Sequence, residues 1–164
     1  MALDKVKTDP FTGYIVRDYL CKKDVETPMV NIVFPDYGKK FDVIRENVYK
    51  IMEALGLDLK DDSLKDTPKR IAKMYLNEIF WGLDYANFPK ITTIENKMQY
   101  ENMLLERHIK VSSTCEHHFI PMMGEAFIAY IPDRRVMGLS KINRIVEFFS
   151  RRPQVQERLT EQIF

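Results

Sequence analysis

The stretch NMLLERHIKVSSTCEHHFIPMMGEAFIAYI, residues 102–131, alternates at both ends and is rich in reactive side chains in the middle. Met103, Leu105, Ile109 and Val111 occupy odd positions, with Glu106, His108 and Lys110 among the even ones. That is the period-two pattern of a half-buried strand. Leu104 and Arg107 interrupt the alternation. Residues 124–131, GEAFIAYI, predict a second strand that stops at Pro132-Asp133. Between them SSTCEHHF, residues 112–119, is expected to be the connection. It holds one of the two cysteines, Cys115, and two of the three histidines, His117 and His118. Loops carried by rigid strands are where chemistry is usually placed.

Beyond this hairpin the period becomes helical. Phe41, Ile44, Val48, Ile51, Met52 and Leu55 fall on one face, with Gly56 as a stop. A second helix is expected in DTPKRIAKMYLNEIFWG, residues 66–82, with Thr67 as N-cap, Pro68 at the first helical position and Gly82 closing it. Its apolar stripe is Ile71, Met74, Tyr75 and Ile79, and Arg70 and Lys73 share another face. After the hairpin, Ser140 is the expected N-cap of a helix that buries Ile142, Ile145, Val146 and Phe149. A last helix is expected to open at Gln154, after the Arg152-Pro153 break, with Val155, Leu159 and Ile163 on one face. Residues 1–38 read as an irregular N-terminal segment with a short helix over 14–20, and residues 39–164 as the domain proper.

Bulk properties exclude some partners. Twenty-five basic and 24 acidic residues leave a net charge of +1, which gives no reason to expect nucleic acid or an anionic membrane. Two distant cysteines make no disulfide framework, MALDKVKTDPF has no apolar signal core, and no apolar run suits a spanning helix. A soluble, cytoplasmic protein is expected.

Three clusters carry candidate chemistry. Cys115 and His118 sit three apart, and thiolate plus imidazole suits zinc (Zn2+). The same spacing also fits a loop without metal. A catalytic zinc takes three protein ligands and water, so a third ligand must come from elsewhere. His117 is a candidate general acid or base. Ser140, Lys141 and Arg144 at a helix start suit a phosphate, or equally an ordinary solvated basic face. Glu157, beside Gln156, can accept the parallel N–H pair that guanine offers, although no spacing distinguishes it from a surface glutamate. Together the clusters suit a guanine nucleotide attacked by activated water.

STCEHHF, GLSKINRIVEFFSRRPQVQERLTEQI and LKDTPKRIAKMYLNEIFWGLDYANFPKIT closely resemble GTP cyclohydrolase I, most of all the bacterial form, from Phe41 to Phe164. ETPMVN, residues 26–31, is a fainter echo. The resemblance implies an α+β fold, the ββααββ tunnelling fold with N-terminal helices, assembled as a homodecamer with interfacial active sites. It implies conversion of GTP and water into formate and 7,8-dihydroneopterin triphosphate, an early step toward folate, other pterins or deazaguanines. It assigns Cys115 and His118 as zinc ligands, His117 as catalytic, and Glu157 with Gln156 as holding the guanine. Ser140, Lys141 and Arg144 would face the triphosphate, and Arg70 and Lys73 a neighbouring subunit's phosphates. It also implies family residues beyond Phe164, including two strands, a third ligand cysteine, a second active-site histidine and another phosphate-facing arginine. On that expectation the domain here is C-terminally incomplete. Two readings follow, an enzyme completed by that segment, or an inactive homologue or half of a split enzyme.

Overall fold

The computed structural model describes residues 3–30 and 36–164. Asn31, the last residue of ETPMVN, lies outside them. The architecture is mixed helix and sheet. Helix α1, Pro10–Lys22, is longer than the expected short helix. Asp9 caps it by accepting the Thr12 N–H at 3.2 Å, and Pro10 occupies its first turn. Helix α2, Tyr37–Ala54, starts four residues before Phe41, because Asp36 accepts the Lys39 N–H at 3.0 Å. Gly56, at φ +76°, lies just beyond its end.

Helix α3, Thr67–Met74, is preceded by Asp66 at the N-cap position, and Thr67 is already helical. It does not run to Gly82. A π-helical turn, Tyr75–Ile79, follows it, and Gly82 lies in a separate 3-10 turn, Trp81–Leu83. A Cβ at Gly82 would sit 2.1 Å from the Phe148 carbonyl oxygen, so close backbone approach explains the glycine.

Strands β1, Thr93–Glu95, and β4, Arg135–Met137, form a small antiparallel sheet. The main sheet has the order β3-β2-β5, from β2, Leu104–Cys115, β3, Pro121–Tyr130, and β5, Pro153–Gln154. Three steps along β2, from Glu106 to Ile109, match two along β3, from Ile128 to Ala126. The extra residue is a β-bulge, and His108 within it has φ +59°. The bulge corrects the expected face. Ile109 is buried and Val111 half-buried, but Met103 and Leu105 are exposed, while Leu104 and Glu106 turn inward. The interruption at Leu104 and Arg107 is this change of phase.

Helix α4, Leu139–Ser150, covers the inner face of the hairpin with Ile142 and Val146, which pack with Ile109. Its N-cap is Gly138, not Ser140, which lies one position inside the helix start. Gln154, expected to open the last helix, is instead a buried strand residue paired with Cys115, and α5 runs Gln156–Ile163. The larger core gathers Leu20, Trp81, Tyr85, Phe88, Phe148, Phe149 and Leu159. Phe148 is its centre, with ring centroids 5.0 Å from Phe88 and 5.4 Å from Tyr85. Arg152 is fully buried in the same place, 4.9 Å from the Phe148 ring and paired with Glu26 at 3.0 Å. No helix among the described residues is long and apolar enough to cross a membrane.

Candidate active site

Ser112 to Cys115 belong to strand β2, so the expected loop shrinks to a tight turn after Cys115. The Phe119 N–H donates to the Cys115 carbonyl at 2.9 Å, the Cys115 N–H donates to the Ile120 carbonyl at 2.9 Å, and Phe119 has φ +54°. These bonds close the hairpin and display Glu116, His117 and His118 at its tip. Cys115 is half-buried, and both histidines are exposed.

The turn is braced from two directions. The Phe119 ring packs on Phe80 at 5.4 Å, which ties it to the segment after α3. On the other side, the Glu116 N–H donates to the Gln154 carbonyl at 3.0 Å. The Arg158 guanidinium of α5 grips the Glu116 carboxylate with two nitrogens, one at 3.3 Å and one closer. Arg158 holds the Glu116 carboxyl below the usual carboxylate range by hydrogen bonding, against a smaller opposing effect of burial.

The Cys115 Sγ lies 3.5 Å from Nδ1 of His117, and the rings of His117 and His118 are 6.4 Å apart. Among the described residues no hydrogen bond joins Cys115 to His118, and no group of three metal-ligating side chains forms. A thiol with two imidazoles on one turn is a donor set of the kind that zinc takes. Two donors on one tetrahedral zinc lie about 3.5 Å apart, given bond lengths of about 2.3 and 2.0 Å. The Cys115–His117 spacing matches that separation.

Gln156 and Glu157 form the exposed first turn of α5, directly before the residue that grips the turn. The structure thus brings the CEHH turn and the start of α5 together. Ser140, Lys141 and Arg144 occupy the first two turns of α4, Ser140 exposed and both cations half-buried. Arg144 lies within electrostatic range of Asp4. The Asp4 carboxyl is lowered first by its hydrogen bond to Lys7 and to a lesser degree by Arg144. Arg70 and Lys73 are exposed on α3, and no hydrogen bond or ion pair among the described residues joins them to the turn. Arg158 and Phe80 are site residues that the sequence does not single out. Their partners, Glu116 and Phe119, lie inside the conspicuous motif, but the Glu116–Arg158 pair spans 42 positions and leaves no local pattern.

A family model for GTP cyclohydrolase I matches residues 44–164. The chain is 59% identical to GTP cyclohydrolase 1 of Aeromonas hydrophila over 149 residues, which cover 91% of this chain and 68% of that protein. It is 55% identical to GTP cyclohydrolase 1 of Vibrio cholerae over 150 residues, with the same shares of each chain. It is also 55% identical to that of Haemophilus ducreyi over 148 residues, covering 90% of this chain and 67% of the relative. The chain belongs to the GTP cyclohydrolase I family.

Proposed function

We propose that this chain performs the family reaction, opening the imidazole ring of GTP by hydrolysis, releasing formate and closing the product to 7,8-dihydroneopterin triphosphate. Residues 39–164 form the domain, a tunnelling fold, working as a cytoplasmic homodecamer. Its product would feed pterin, folate or deazaguanine synthesis. The observation that supports the reading is the meeting of the CEHH turn with α5 through Glu116 and Arg158, beside the turn of helix proposed to read guanine.

In this reading Glu157 accepts the parallel N–H pair of guanine, a charge-assisted contact that fixes ring orientation. Gln156 supports it from the same helical turn. Lys141, Arg144 and Ser140 hold the triphosphate, with Arg70 and Lys73 reaching phosphates across a subunit boundary. The phosphates do not react, so their binding energy serves to position the ring. His117, exposed at the tip of the turn, donates a proton to the imidazole ring nitrogen as the ring opens. Cys115 and His118 would hold zinc, and His117 is the alternative imidazole given its 3.5 Å spacing from the thiol. When bound, the ion supplies Lewis acidity toward water. The described residues offer no three-ligand group, so the proposed centre takes a further donor from outside them.

The test is incubation with GTP and zinc, following formate and the fluorescent pterin formed on oxidation. Formate in step with pterin is expected. GTP binding without formate would instead favour an inactive homologue, and neither binding nor turnover would overturn both readings.

A further inference from the structure

Neighbours on an α-helix project about 100° apart. Glu157 and Arg158 are such neighbours, one exposed and the other turned against the protein. Val155 gives α5 no side-chain cap, so the start of this eight-residue helix is not held by its own cap. Arg158 instead reaches the Glu116 carboxylate with both terminal nitrogens, and the two side chains are only 17% and 27% exposed. Glu116 sits between Cys115 and His117, and its N–H is bonded to the strand that leads into α5.

We propose that Glu116 and Arg158 form a positioning clamp. It sets the distance between the Cys115–His118 turn and the first turn of α5, and sets the direction in which Glu157 projects. A planar guanidinium fork on a carboxylate fixes orientation as well as separation, which a single lysine contact does not. An exposed ion pair would hold little, but this one is largely withdrawn from water. In this role Glu116 and Arg158 are positioning residues bonded to each other. They act through Glu157 on one side and through the histidines on the other. Small misplacements of reacting groups are amplified in rate, so the effect falls on turnover more than on binding. The inference rests on the reading of Glu157 as the carboxylate that holds guanine.

The test uses the full-length, assembled enzyme supplied with zinc. Glu116→Gln, Arg158→Met, Arg158→Lys and the exchange Glu116→Arg/Arg158→Glu are compared by equilibrium GTP binding and single-turnover formate release. Each single change should slow formate release about 10–100-fold, with a smaller rise in the GTP dissociation constant because Glu157 is aimed less firmly. Arg158→Lys should lose most of the rate despite keeping the charge, and the exchange should recover part of it. Single variants with parental rates would overturn the clamp, as would an exchange in which the two losses simply multiply. If Arg158→Met melts below the assay temperature, Glu116→Gln and the exchange decide between these outcomes. Glu157→Ala separates this inference from the reading beneath it. If it binds GTP like the parent, both fall. If it loses GTP while the clamp variants keep full rate, the clamp alone falls.

Discussion

Arg152 is a buried cation whose neighbours are mostly aromatic. It meets Glu26 at 3.0 Å and the Tyr85 hydroxyl at 3.3 Å, and its guanidinium lies about equally close to the rings of Tyr85, Phe148 and Phe149. Burial foremost, with the hydrogen bond to Glu26, pushes the Tyr85 hydroxyl well above the usual phenol value, against the opposing effect of Arg152. Tyr85 therefore stays a proton donor to Glu26 at any working pH. Removing one member of a buried pair strands the other. Arg152→Met should lower unfolding free energy by about 3–5 kcal/mol in urea denaturation. Adding Glu26→Gln should return part of that loss, since removing both charges is better tolerated than removing one. A double variant no more stable than the single would show that Glu26 is not the partner that matters. None of this is legible in the residue order. Arg152-Pro153 reads only as a chain break, and Glu26 lies 126 positions away.

Single elements keep their expected type while their ends and faces move. The alternation in residues 102–111 correctly announces a strand, but an alternation says nothing about a bulge beyond the place where it falters. One inserted residue exchanges the faces, so Leu105 meets solvent and Glu106 turns inward. The Glu106 Oε2 atom is buried there without a hydrogen-bond partner among the described residues. Gly82 resembles a helix stop and is a packing glycine. An alanine Cβ would stand 2.1 Å from the Phe148 carbonyl oxygen and 2.8 Å from that of Arg151, both backbone atoms with little freedom to retreat. Gly82→Ala should therefore destabilise by at least about 1–3 kcal/mol, read as a lower melting temperature. An unchanged melting temperature would mean the 3-10 turn is looser than its contacts indicate.

Among the described residues, large apolar side chains are exposed on several elements, and α2 and the end strand β3 bear most directly on assembly. Val43, Ile51 and Leu55 lie on or just after α2 and are exposed, Leu55 to 71%, and among the described side chains of that helix only Met52 is buried. On the end strand β3, Met123 is 79% exposed and Phe127 58%. Exposed apolar patches joined to a free strand edge are features of surfaces that associate. Light scattering behind size exclusion should find an oligomer. Ile51→Glu combined with Met123→Glu should shift it toward smaller species. A monodisperse monomer for the parent protein would count against the proposed assembly.

The amphipathic helices, the two long strands and the clustering of Cys115, His117 and His118 are set by residue order within short windows, because periodicity and motif are local properties. Family membership is equally legible, since it rests on long runs of matching residues. The bulge, the glycine contact, the buried arginine and the grip of Arg158 on Glu116 belong to the folded chain. Each depends on where a distant backbone or charge comes to lie, and chain contacts across 42 or 126 positions leave no period to read. SSTCEHHF marks where chemistry should lie. Folding supplies what holds that turn in place, a ring from the segment after α3 on one side and a guanidinium from α5 on the other.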